Sequence, residues 1–101
     1  MIIITSTIQT PPEYFAPAIE QARKHVAASR LEEGCLSHQY FVDPEHEHTI
    51  VFLERWRDQA AIDHHFGEPT SRELVENFQA WCPGSLELEF HHVESSHQLS
   101  V

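Results

Sequence analysis

The chain opens on an alternating pattern. Ile2, Ile4 and Ile8 fall on one side of an extended segment, and Ile3, Thr5 and Thr7 on the other. β-branched residues at period two predict a strand. Thr10-Pro11-Pro12-Glu13 then reads as a helix start, with Thr10 as cap, Pro11 at the first helical position and Glu13 closing a capping box. Phe15, Ile19, Ala22, Val26 and Ala27 follow at mainly helical spacing and form one apolar stripe. Gly34 predicts the end of that helix.

Period two returns over Leu36 to Val42 and stops at Asp43-Pro44. A polar turn, Glu45 to His48, leads into a third strand from Thr49 to Trp56. Here both faces are apolar: Ile50, Phe52 and Trp56 alternate with Val51 and Leu53. A strand of this kind needs cover on both sides, and a second subunit is the natural second cover. Asp58 caps a short helix carrying Ala61, Ile62, His65 and Phe66 on one side. Gly67-Glu68-Pro69 interrupts it, Thr70 and Glu73 form a second capping box, and Leu74, Val75, Phe78 and Trp81 supply another apolar face. After Cys82-Pro83-Gly84, Leu86, Leu88 and Phe90 alternate with Glu87, Glu89 and His91 in a half-exposed last strand. The order β-α-β-β-α-α-β predicts one α+β domain over residues 1–94 with a polar tail over 95–101. Merging the short helices gives the ferredoxin-like split βαβ pattern, a four-stranded antiparallel sheet with helices on one face.

Charge narrows the partners. With 16 acidic and 6 basic residues in 101, the formal charge is −10, which opposes binding to nucleic acid or to an anionic membrane. A small neutral or apolar molecule in an enclosed pocket is compatible with it. Cys35 and Cys82 lie far apart and outside any C-x-x-C motif, so neither a disulfide framework nor a zinc ribbon is expected. The N-terminus lacks the basic region of a signal peptide, and no apolar run is long enough to span a bilayer. A cytoplasmic location is the expectation.

Four stretches then point to a family. Gly34-Cys35-Leu36 opens the second strand, Asp43-Pro44-Glu45 makes the next turn, Phe52-Leu53-Glu54-Arg55-Trp56 carries a Glu-x-Trp signature, and Ala61-Ile62-Asp63-His64-His65-Phe66 places a histidine on a helix. Together, in this order, they resemble the antibiotic-biosynthesis monooxygenase family, including its quinol monooxygenase-like members. The resemblance implies a homodimer with sheets packed face to face (a dimeric α/β barrel) and a pocket between each sheet and its helices. It also implies oxygenation of a small phenolic or quinol-like aromatic by O2, with no cofactor and no metal, the substrate anion delivering the electron. The chain departs from the family pattern in places. His38 stands where a Tyr is common, and Thr70 follows Pro69 where many members have a second His. Val75 occupies the position of the helical His of haem-degrading members, which argues against haem degradation.

Several residues are candidates for the chemistry. Glu54, on an otherwise apolar strand, is either a base with a raised pKa or half of an ion pair with Arg55 or Arg57 of a second subunit. His65 either shuttles a proton or is a core histidine bonded to Glu54 or to a carbonyl. Trp56, His38 and Tyr40 share the Glu54 side and are expected to shape the pocket with Phe52 and Phe66. Metal motifs are missing: there is no H-x-x-x-H or H-E-x-x-H, and the adjacent His91 and His92 face opposite sides of a strand. A non-catalytic dimeric binding module for a hydrophobic small molecule is the alternative on the same scaffold.

Overall fold

A computed structural model describes residues 1–101. Strands β1 (Ile2–Gln9), β2 (Cys35–Val42), β3 (Thr49–Trp56) and β4 (Glu87–His92) and helices α1 (Pro12–Ser29), α2 (Gln59–Gly67) and α3 (Pro69–Trp81) follow in the order β1-α1-β2-β3-α2-α3-β4. The sheet order is β2-β3-β1-β4, with all neighbours antiparallel. This is the ferredoxin-like arrangement, with the sheet open at its edges rather than closed into a barrel. No helix is long and apolar enough to cross a membrane.

The pleat fixes which side chains meet the helices. Ile2, Ile4, Ser6 and Ile8 of β1 are buried, as are Ile50, Phe52, Glu54 and Trp56 of β3. Two apolar clusters form on this face. One joins Ile8, Ile50 and Phe52 to Ala18, Ala22 and Val26 of α1 and to Leu74 and Phe78 of α3. The other joins Ile2, Ile4 and Trp56 to Ala61 and Ile62 of α2. Glu54 stands between Phe52 and Trp56 along β3, and its partner across the β2–β3 ladder is His38. A polar seam therefore separates the two apolar clusters.

The element boundaries depart from the sequence expectations in several places. Thr10 does not cap α1. Its backbone N–H and its hydroxyl both donate to His48 O, at 2.9 and 3.4 Å, which ties it to the β2–β3 turn, and Pro11 becomes the N-cap. The stripe on α1 is Ala18, Gln21, Ala22, His25, Val26 and Ser29, so Ala27 faces solvent. The helix ends at Ser29, before Gly34. The N–H groups of Leu31 and Glu32 reach back only three residues, to Ala28 and Ser29, and this tightening turns Glu32 inward. Gly34 instead serves the entry to β2. Its φ is +88°, and a Cβ there would lie 2.6 Å from the Ala61 Cβ, so the position favours glycine on both counts. Asp58 caps α2 as expected, accepting from the Ala61 N–H at 3.0 Å. Thr70 does not cap α3: Pro69 occupies its first turn after Glu68, and Glu73 reaches Lys24 of α1 at 3.1 Å.

Candidate functional site

The seam between the clusters holds the chemistry. Glu54 is 4% exposed, and Trp56 Nε1 donates to its Oε1 at 2.9 Å. Burial pushes its carboxyl up to about 7, against the opposing effect of the Trp56 hydrogen bond. No arginine pairs with it in this chain. Two imidazoles approach instead: His65 Nε2 lies 3.8 Å from Oε1, and His38 Nε2 lies 3.9 Å from Oε2.

His65 is fixed by its other nitrogen. Nδ1 lies 2.9 Å from Glu32 Oε2, and the ring packs against Trp56 at a 40° tilt with centroids 4.5 Å apart. Ser71, in the first turns of α3, donates its hydroxyl to His65 O at 2.5 Å and locks the end of α2 against α3. Burial is the main reason that His65 is pulled down to about 4. It likewise lowers Glu32's readiness to ionise, with Glu68 adding to the effect.

His25 completes the group from α1. Its ring lies 5.2 Å from His38 and 5.0 Å from His65, and His38 lies 5.7 Å from His65. Burial first, then the neighbouring imidazoles, lowers His25 to about 4 and His38 to about 2. Neither nitrogen of His38 has a hydrogen-bond partner in the protein, nor does His25 Nδ1. Unmet buried groups of this kind cost roughly 1–3 kcal/mol each.

These groups line a cavity of about 60 Å³. Glu54, His25, His38, His65, Ser6 and Ser71 are its polar lining, and Phe52, Phe66, Leu74, Val75, Leu86 and Leu88 its apolar walls. The volume suits a few water molecules and falls well below the roughly 300 Å³ of the smallest usual ligand pockets. At the mouth, Phe66 and Leu88 are 40% and 38% exposed.

Of the residues singled out from the sequence, Glu54, His65, His38, Phe52 and Phe66 meet at this cavity. Trp56 lies beneath it, fully buried, and acts on it through Glu54 and His65. Tyr40 packs against the larger apolar cluster and does not border the cavity. His64 faces solvent and meets Glu68 at 2.9 Å. Sequence reasoning missed His25 and Glu32. His25 had a signal, since it lies three residues after Ala22 and seven after Ala18 on the buried stripe. Glu32 had none, because its inward turn depends on where α1 stops.

The fold and the helix-covered cavity together define a small ferredoxin-like α+β domain. The family model for antibiotic biosynthesis monooxygenase matches residues 1–77, and the chain belongs to that family. It is 32% identical over 75 residues to the uncharacterized protein sll1783 of Synechocystis, an alignment covering 74% of this chain and 51% of that protein. The chain thus spans about half the length of that relative. It is 35% identical over 65 residues to YcnE of Bacillus subtilis, named as a candidate monooxygenase, covering 64% of this chain and 68% of YcnE. Among solved structures, one described as an antibiotic biosynthesis monooxygenase superposes with TM-score 0.85 at 25% identity, covering 94% of this chain and all of that one. Rv0793 of Mycobacterium tuberculosis shares the fold with TM-score 0.88 at 15% identity, covering 96% of this chain and 98% of its own.

Proposed function

We propose that this chain, as a homodimer, oxygenates a small phenolic or quinol-like aromatic with O2. The observation that carries the reading is a buried carboxylate with a near-neutral pKa facing an apolar-walled cavity. Such a group accepts a phenolic proton at working pH. Glu54 is the proposed base, and His65, oriented by Glu32, passes the proton on. His38 holds the oxygen of the substrate anion, and Phe66 and Leu88 flank the ring at the mouth of the cavity. The anion itself reduces O2. A C–O bond forms at the ring carbon, the O–O bond then breaks, and a phenol plus O2 become a quinone plus water, so no external reductant is consumed.

The dimer is supported by the sheet face away from the helices. There Ile3, Val51 and Leu53 are only half-buried, and Phe41 is 50% exposed. An apolar face of this extent fits a second sheet. Sedimentation at micromolar concentration should give twice the 11.7 kDa monomer mass, and a stable monomer would remove that part of the proposal.

Oxygen uptake over a panel of phenols and quinols tests the activity, with spontaneous oxidation subtracted. Turnover should fall at least about 100-fold in Glu54→Gln and in His65→Gln, the usual scale for a general base. The small cavity volume favours one second reading, a binding module that holds its ligand at the mouth. Saturable binding of a panel compound without oxygen uptake would favour that reading.

A further inference from the structure

His25 comes from α1, His38 from β2 and His65 from α2, yet one ring nitrogen of each lies within 4.8 Å of the other two. We propose that these three imidazoles form a binding site for a divalent first-row transition-metal ion, of the zinc, cobalt, nickel and copper class, with Glu54 beside it as a carboxylate ligand.

Three features support the site independently of the oxygenase reading. The first is the unmet donor set. Both His38 nitrogens and His25 Nδ1 are buried without partners, and imidazole nitrogen is a preferred donor for these ions. Tetrahedral bonds of about 2.0–2.1 Å place ligand nitrogens roughly 3.3–3.4 Å apart. The ring nitrogens therefore need to close by up to about 1.5 Å, within reach of side-chain rotation.

The second feature is the shell behind the ligands. Glu32 Oε2 holds His65 Nδ1 at 2.9 Å, which leaves Nε2 to face Glu54 and the other histidines. A carboxylate behind a ligating histidine is the recurrent means of fixing its tautomer and direction. The third is charge. Glu54 and Glu32 are two buried or half-buried carboxylates flanking the trio, and together they match a 2+ ion. The cavity supplies an open side toward Phe66 and Leu88, where a phenolate or water oxygen would complete the coordination. With an ion bound, Glu54, His65 and His38 would serve as ligands rather than as base, relay and oxygen holder, and a redox-inert ion such as zinc would itself hold the phenolate oxygen while the substrate remained the electron source. His46, His64 and His91 are exposed histidines that each meet a single carboxylate and have no comparable grouping.

The experiment is a Co(II) titration of chelator-stripped protein, followed by its visible absorption. One ion per chain should bind, with the intense bands of four- or five-coordinate cobalt, and Zn(II) should displace it. His38→Gln should weaken binding at least about 100-fold, and Glu32→Gln by roughly 10–100-fold. His64→Gln, an exposed control, should leave it unchanged. Absence of saturable uptake overturns the proposal, as does uptake that survives His38→Gln with its strength intact. Circular dichroism checks each variant. If His38→Gln does not fold, proton NMR of the Co(II)-loaded wild-type protein decides. Three hyperfine-shifted, exchangeable imidazole N–H signals support the site, and fewer overturn it.

Discussion

Replacing Glu54 with Gln should stabilise the metal-free protein, and should do so only at higher pH. The folded carboxyl titrates at about 7 against an ordinary value of 4.5, chiefly because it is buried. The folded state therefore keeps a proton that the unfolded chain has already released. Below pH 4.5 both states are protonated and the group is neutral in effect. Between 4.5 and 7 stability falls as pH rises, and above 7 the full cost of a buried charge is present. A shift of 2.5 pH units, from 4.5 to 7, at 1.36 kcal/mol each gives about 3 kcal/mol. Gln at this position does not titrate, and its amide oxygen still accepts from Trp56 Nε1. Urea unfolding of both proteins with a chelator present, at pH 5 and pH 8, measures the gap. Glu54→Gln should gain up to ~3 kcal/mol relative to wild type on moving to the higher pH. A gap that does not change with pH would refute the assignment of a raised pKa to this carboxyl. A residue that costs stability at neutral pH and sits in a cavity is the expected signature of a group kept for its chemistry.

Other positions test the fold. Gly34→Ala should lose at least about 2 kcal/mol by thermal melt, because of the left-handed backbone and the clash with Ala61; Ala61→Gly in the same chain should restore part of it. Asp58→Ala should cost roughly 0.5–2 kcal/mol in urea unfolding through loss of the α2 cap, whereas Thr70→Ala, which caps nothing, should stay within about 0.5 kcal/mol of wild type. Phe78→Ala, in the centre of the larger cluster, should cost about 3–5 kcal/mol.

The sheet was legible because burial enforces period two. Ile2-Ile4-Ile8 and Ile50-Phe52-Trp56 leave no other register, and Asp43-Pro44 and Cys82-Pro83-Gly84 mark the breaks. The helix ends were less legible, since capping depends on which tertiary partner claims a side chain. Thr10 is claimed by His48 O, and the first turn of α3 is set by Pro69. The site was legible where a polar residue interrupts an apolar run, as Glu54 and His65 do. His38 was placed beside Glu54 by strand alternation, and Cys35 and Ser37 flank a register shift that leaves that pairing intact. Glu32 was not legible, because its role follows from the path of the chain between Ser29 and Gly34 rather than from any local period.

The size of the cavity and the exposure of β4 have a common explanation. β4 pairs only with β1, at the edge of the sheet. Its side chains in register with Ile4 and Ser6, Phe90 and Leu88, point to the helix side, yet they are 46% and 38% exposed. The helices cover the other strands and leave this strip bare except for Phe66, whose ring lies 6.2 Å from Phe90. In the proposed reaction, an apolar strip beside a polar recess too small for a ring would divide the labour of binding, the recess taking a hydroxyl and the strip taking the ring. On this view the ring lies between Phe66 and Leu88 with its oxygen directed toward Glu54. Leu88→Asp should then raise KM at least about tenfold, the worth of roughly 1.4 kcal/mol of apolar contact, with the fold intact because the position is already open to solvent. An unchanged KM in Leu88→Asp would place the ring elsewhere and leave the exposure of β4 to be explained by the partner subunit alone.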